Sequence, residues 1–70
     1  MMQISKTLRE IEYSRNKAKE MAMMGKYPES DDYIMDAYSN AIYLFENYGE
    51  EYFSDTEYEF LKTVIDEVEG

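Results

Sequence analysis

Apolar side chains recur at intervals of three and four residues from one end of this chain to the other, and no alternating apolar–polar run lasts more than a few residues. That spacing collects side chains on one face of a helix, whereas a half-buried strand needs a period of two. The chain is therefore expected to be all-α. Seventy residues make one domain, 1–70. A domain of this size buries only about 60% of the surface its unfolded chain exposes. Without cysteine, neither a disulfide nor a Cys/His zinc site can reinforce it. A homodimer or a tightly bound partner is the remaining source of burial.

Three helical segments are expected, at about 3–24, 31–48 and 55–68. In the first, Ile4, Leu8, Ile11, Ala18 and Ala22 share a stripe. Arg15 interrupts it where a leucine would fit. Its stem can lie along the core while the guanidinium reaches a carboxylate. Lys6–Glu10, Arg9–Glu12 and Glu12–Arg15 are spaced for local ion pairs. Gly25 is placed to cap the helix, and Pro28 prevents its continuation. In the second segment Ser30 or Asp31 is the expected cap. Ile34, Ala37, Tyr38, Ala41, Leu44, Phe45 and Tyr48 form the apolar stripe, and Gly49 is a second capping glycine. The third segment has the clearest start. Ser54 and Glu57 form a capping box, and Phe53 and Tyr58 have hydrophobic-staple spacing. Leu61, Val64, Ile65 and Val68 continue its apolar face. Short connections favour antiparallel neighbours, so the expected architecture is an up-down-up three-helix bundle. The first helix is the longest, at about 33 Å, and its end can overhang the others.

The residues most catalysts are built from are missing. There is no histidine or cysteine, no serine in a nucleophile-elbow pattern and no glycine-rich phosphate loop. Asp32/Asp36, Glu46/Glu50 and Asp55/Glu59 have the spacing of a helical carboxylate site for Mg²⁺. A phosphohydrolase of that kind is the third of four functional readings, because helical pyrophosphohydrolases are longer and add basic groups near the phosphates; direct DNA binding by the basic first helix is the weakest. The expectation is a non-enzyme with no cofactor and no metal.

The charge map points elsewhere. Sixteen acidic groups outnumber seven basic ones, for a formal net charge of −9. Residues 1–26 hold six of the basic groups against Glu10, Glu12 and Glu20, whereas residues 27–70 hold thirteen acids against Lys62 alone. Part of this asymmetry can dock a basic first helix on acidic neighbours, but most of the acid must stay uncompensated. The excess repels nucleic acid and anionic membrane surfaces. No apolar run approaches the ~20 residues needed to span a bilayer, and the N-terminus becomes charged at once, so a cytoplasmic protein is expected.

Six carboxylates, Glu46, Glu50, Glu51, Asp55, Glu57 and Glu59, fall within fourteen residues and are interleaved with aromatic rings. Glu46, Glu50 and Glu51 crowd a helix C-terminus, where the dipole prefers cations. Residues that break a local rule without local gain mark functional surface. Tyr33, Tyr38, Tyr43 and Tyr48 recur every five residues, so successive rings point about 140° apart and cannot all be core. Tyr38, Tyr48 and Tyr58 are read as half-buried, and Tyr33, Tyr43 and Tyr52 as contact surface. Met21, Met23 and Met24 are read first as core filler, with Met23 facing out.

The leading expectation is a protein-binding inhibitor or adaptor. Its surface of Tyr43, Glu46, Glu50, Glu51, Tyr52, Asp55, Glu57 and Glu59 would dock on a basic, nucleic-acid-binding groove of a larger protein. In size, charge and composition the chain resembles phage-encoded inhibitors, including anti-CRISPR and anti-restriction proteins that imitate DNA. The resemblance implies action in the host cytoplasm. The alternative is an ordinary helical interaction module using an apolar helix face, including a dimer sealed along Ile4, Leu8 and Ile11.

Overall fold

The computed structural model describes residues 2–70. Three helices form an up-down-up bundle: α1 (Met2–Met23), α2 (Tyr27–Asn47) and α3 (Asp55–Glu69), with a short 3-10 turn at Glu50–Tyr52 before α3. The long axis of the molecule is 39 Å.

α1 ends in a Schellman motif. Gly25 adopts φ +76°, the Lys26 amide donates to the Met21 carbonyl and the Gly25 amide donates to that of Ala22. The chain reverses at once, and α2 begins at Tyr27, four residues before its expected start at Asp31. Pro28 occupies its first turn. A proline there loses no helical hydrogen bond, because that amide has no partner anyway. Pro28 therefore opens α2 rather than merely stopping α1. Neither Ser30 nor Asp31 caps the helix. Lys26 holds the cap position without a side-chain bond, and the Ser30 hydroxyl, buried between helices, donates to the Ala18 carbonyl at 2.8 Å.

Gly49 is likewise no left-handed cap. Tyr48 ends α2 in an extended conformation, and Gly49 (φ −78°) leads into the 3-10 turn. The start of α3 follows expectation. The Glu57 amide donates to Ser54 Oγ at 3.1 Å, and the Ser54 amide donates to Glu57 Oε1 at 2.8 Å. Phe53 and Tyr58 meet across Phe45, with ring centroids 5.8 and 5.4 Å from it.

Ile4, Ile11, Ala37, Ala41, Leu44, Phe53, Leu61 and Val64 form the buried core. Burying Ile4 and Ile11 removes the dimer seam expected along Ile4, Leu8 and Ile11, since both side chains are already used inside the monomer. The α1–α2 seam is lined by small residues, Thr7, Ser14, Ala18, Ser30, Ala37 and Ala41, all buried. Three of them are polar positions that an apolar stripe does not reveal. Ser14 Oγ donates to Asp36 Oδ2 at 2.6 Å, so Ser14 lies opposite Asp36 and Ala18 opposite Ser30, which sets the antiparallel register.

α3 packs mainly on α2. Its clearest tie to α1 is Arg15, which donates from Nη2 to Glu67 Oε2 at 2.6 Å and from Nε to Glu67 Oε1 at 3.2 Å. The guanidinium carbon sits 5.5 Å from the centre of the Phe60 ring. The expectation for Arg15, apolar stem and paired head, is met by a partner 52 residues away. The expected local pairs Lys6–Glu10, Arg9–Glu12 and Glu12–Arg15 do not form. Among the described residues the ion pairs are Arg15–Glu67 and Lys17–Glu20, so a basic α1 neutralising acidic neighbours is realised at Arg15 alone.

α3 is too short to cover the whole hairpin. It has 15 residues against 22 in α1, and its last turn reaches the level of Arg15 and Tyr38, where Glu67 and Glu69 bond them. Beyond that level α1 and α2 continue as a bare two-helix tip. Met23 (89% exposed), Met24 and Tyr27 cap this tip in solvent; Met23 faces out as expected, the core-filler reading of Met24 is corrected, and Met21 is half-buried.

Candidate interaction surfaces

Two surfaces emerge. The first is the bundle end formed by the last turn of α2, the 3-10 turn and the start of α3. Glu46 occupies the last turn of α2 and is exposed. Glu50 and Glu51 lie beyond that helix, in the 3-10 turn, so only Glu46 truly opposes the α2 dipole. Tyr52 is 54% exposed, and its ring meets Tyr48 edge-on at 5.8 Å. Asp55 and Glu59, one turn apart, are exposed on α3. Glu57 is half-buried and committed to the capping box, so its first role is structural. Tyr43 is exposed on α2 about one turn before the chain leaves the helix.

This segment is anchored. Phe53 is buried against Phe45, so the turn that carries Glu50, Glu51 and Tyr52 is pinned to the core from directly behind. Neither ion pair formed among the described residues involves residues 46–59. The six carboxylates surround the bundle end without converging. Among the described residues no three acidic groups approach closely enough to hold a metal ion.

The second surface is an open groove of about 990 Å³ along α1 and α2, on the side of the hairpin away from α3. Lys6 and Arg9 line one end of it, Glu29 and Asp32 the other, and Tyr13 and Tyr33 stand between. Sequence reasoning placed Tyr33 on a contact surface but did not find this groove, because it depends on the register between two helices. The other tyrosines expected to be half-buried, Tyr38, Tyr48 and Tyr58, are so. Tyr38 donates to Glu69 Oε2 at 2.6 Å. That bond to a carboxylate, helped by partial desolvation and by the charge of Glu69, raises the hydroxyl above the usual tyrosine value.

No helix among the described residues is long and apolar enough to cross a membrane. Comparison with known proteins brings no relative: no family model matches the chain, and no curated protein and no solved structure is significantly similar to it.

Proposed function

We propose that this chain is a non-catalytic binding protein that docks its acidic, aromatic end, Glu46 to Glu59, onto a basic surface of a larger protein. The supporting observation is that six carboxylates without a basic partner among the described residues are held on a segment pinned by Phe53. A rigid segment loses little conformational freedom on binding, and its charges speed encounter with a basic patch. A basic groove that normally holds nucleic acid is the partner this charge distribution fits best, and occupying it would make the protein a DNA-mimic inhibitor of the kind phages encode.

The test is capture of partners from lysate with the wild-type chain and with a variant combining Glu50→Gln, Glu51→Gln, Asp55→Asn and Glu59→Gln. Glu57 is left in place to keep the α3 cap intact. The expected result is a partner that binds the wild type, is released by high salt and is lost with the variant. Equal retention of that partner by both proteins would sink the proposal. Competition with DNA for the captured partner then separates an inhibitor from an adaptor.

A second reading rests on the exposed tip. Met23, Met24 and Tyr27 form an apolar cluster suited to an ordinary helix-groove interaction. A partner held through this tip would survive high salt and would be lost on Met23→Ser with Met24→Ser.

A further inference from the structure

We infer that the acidic end of the α1–α2 groove receives an arginine side chain from a basic segment of another protein. The charges along the groove point to that occupant. Glu10, Glu29, Asp32 and Asp36 line it against Lys6 and Arg9. The two signs are separated along its length. The Ser14–Asp36 bond puts those two residues at one level of the antiparallel hairpin. From that level Arg9 and Lys6 lie about 7.5 and 12 Å toward one end, with Glu10 beside them. Asp32 and Glu29 lie about 6 and 10.5 Å toward the other. Arg9 and Asp32 are therefore about 13.5 Å apart along the axis, beyond the ~8 Å over which exposed charges stay coupled at physiological salt. No basic side chain lines the end formed by Asp36, Asp32 and Glu29. Lys17 follows Ser14 by about one turn on α1, but its ammonium pairs with Glu20 at 3.7 Å, and that pair adds no net charge.

An arginine suits this end better than a lysine. Tyr13 and Tyr33 line the groove, and the face of an aromatic ring attracts a cation. A guanidinium is planar and weakly hydrated, so it stacks on a ring while bonding a carboxylate. Two contacts inside the chain display this chemistry. The Lys17 ammonium lies 6.0 Å from the centre of the Tyr13 ring, so a cation already sits against the aromatic wall of the groove. Arg15 joins a carboxylate, Glu67, to a ring, Phe60, at a partly exposed position. The groove offers the same two kinds of partner to an incoming side chain. Ser14 Oγ, donating to Asp36 Oδ2 at 2.6 Å, fixes one of the carboxylates in place. Glu29, Asp32 and Asp36 form no ion pair among the described residues, so their charges are available. α3 packs on the opposite side of the hairpin and leaves this face open.

The inference goes beyond the proposed docking of residues 46–59 and survives its failure, because no groove residue belongs to that segment. Its test uses the full chain and two probes, capped tetra-arginine and capped tetra-lysine peptides, titrated to about 5 mM at low salt. The ring signals of Tyr13 and Tyr33 are followed by NMR. Tetra-arginine is expected to shift both sets of signals to saturation. Tetra-lysine is expected to bind about threefold more weakly, and Tyr33→Leu, which leaves every charge in place, to weaken tetra-arginine by a similar factor. Glu29→Gln with Asp32→Asn is expected to weaken it about fivefold. The variant carrying Glu50→Gln, Glu51→Gln, Asp55→Asn and Glu59→Gln is expected to bind at the groove within about twofold of wild type, since those charges lie outside it. Circular dichroism verifies the helicity of each variant, and the comparison of the two peptides needs no variant. Ring signals of Tyr13 and Tyr33 that stay unmoved by tetra-arginine overturn the inference. Equal binding of the two peptides, or full binding by folded Tyr33→Leu, overturns it as well, because diffuse attraction to an acidic protein would then account for the contact. Loss of the ring shifts in the quadruple variant overturns it by placing the peptide at the other surface.

Discussion

Replacing Arg15 with methionine isolates the guanidinium from its stem. The aliphatic stem keeps its place beside the core, while the two bonds to Glu67 and the contact with Phe60 are lost. The Arg15 side chain is 20% exposed and that of Glu67 48%, so the pair belongs with partly solvated bridges, worth about 0.5–1 kcal/mol when bidentate. The cation–π contact adds about 0.5–1 kcal/mol. Arg15→Met should therefore lower stability by about 1–2 kcal/mol. For a chain of this length, total stability is roughly 3.5–10 kcal/mol, so the loss is easily measured. Each kcal/mol corresponds to about 4–8 °C in melting temperature for a domain of this size. Urea unfolding followed by circular dichroism, at low and high salt, provides the measurement. A double-mutant cycle with Glu67→Gln should give a coupling of about 0.5–1 kcal/mol that shrinks in high salt. Arg15→Lys should recover only part of it, because an ammonium cannot make the fork. A coupling below about 0.2 kcal/mol at low salt would refute the assignment of Arg15 as the tie between α1 and α3.

Further outcomes follow from single positions. Gly25→Ala should destabilise by about 1–2 kcal/mol in urea unfolding; a Cβ there has open space around it, so the cost comes from the left-handed backbone alone. Leu61→Ala should remove about 2–5 kcal/mol, because Leu61 is fully buried where α3 meets α2, and thermal melts should show a partly unfolded protein at moderate temperature. Tyr38 should titrate above the usual tyrosine range when followed by its ring-carbon NMR shift, and Glu69→Gln should bring it down. Its folded value is raised, so its contribution to stability is complete below the unfolded tyrosine value near pH 10 and is lost as pH climbs through the folded value.

How much was legible in the sequence depended on how local the governing physics is. The apolar stripes, the Gly25 cap and the Ser54–Glu57 box each involve residues within one or two turns, and all three appear in the structure. The start of α2 was misjudged because Pro28 was read only as the end of what precedes it, and the pair Ser30–Asp31 looked like a cap. A proline just ahead of an acidic stretch suits a first helical turn equally well. Ser14 and Ser30 escaped the core because polarity hid them; each buried hydroxyl finds an acceptor only across the helix seam. The acidic end was found by charge counting. Its anchoring by Phe45 and Phe53, and the commitment of Glu57 to the α3 cap, required three dimensions. The groove was invisible for the same reason, since an antiparallel register is a tertiary fact.

The bare tip of the hairpin has a consequence for how the molecule breathes. Between the level of Arg15 and the turn at Gly25, the two helices hold only each other, and the buried residues there are Ala18 and Ser30, neither of which contributes much apolar area. Fraying of this stretch leaves the core around Ile11, Leu44 and Leu61 undisturbed, so its free energy of opening lies well below that of global unfolding. Amide exchange should accordingly divide the chain by height above α3 rather than by helix. The second half of α1 and the first half of α2 exchange together as one cooperative unit, while the first half of α1 keeps pace with α3.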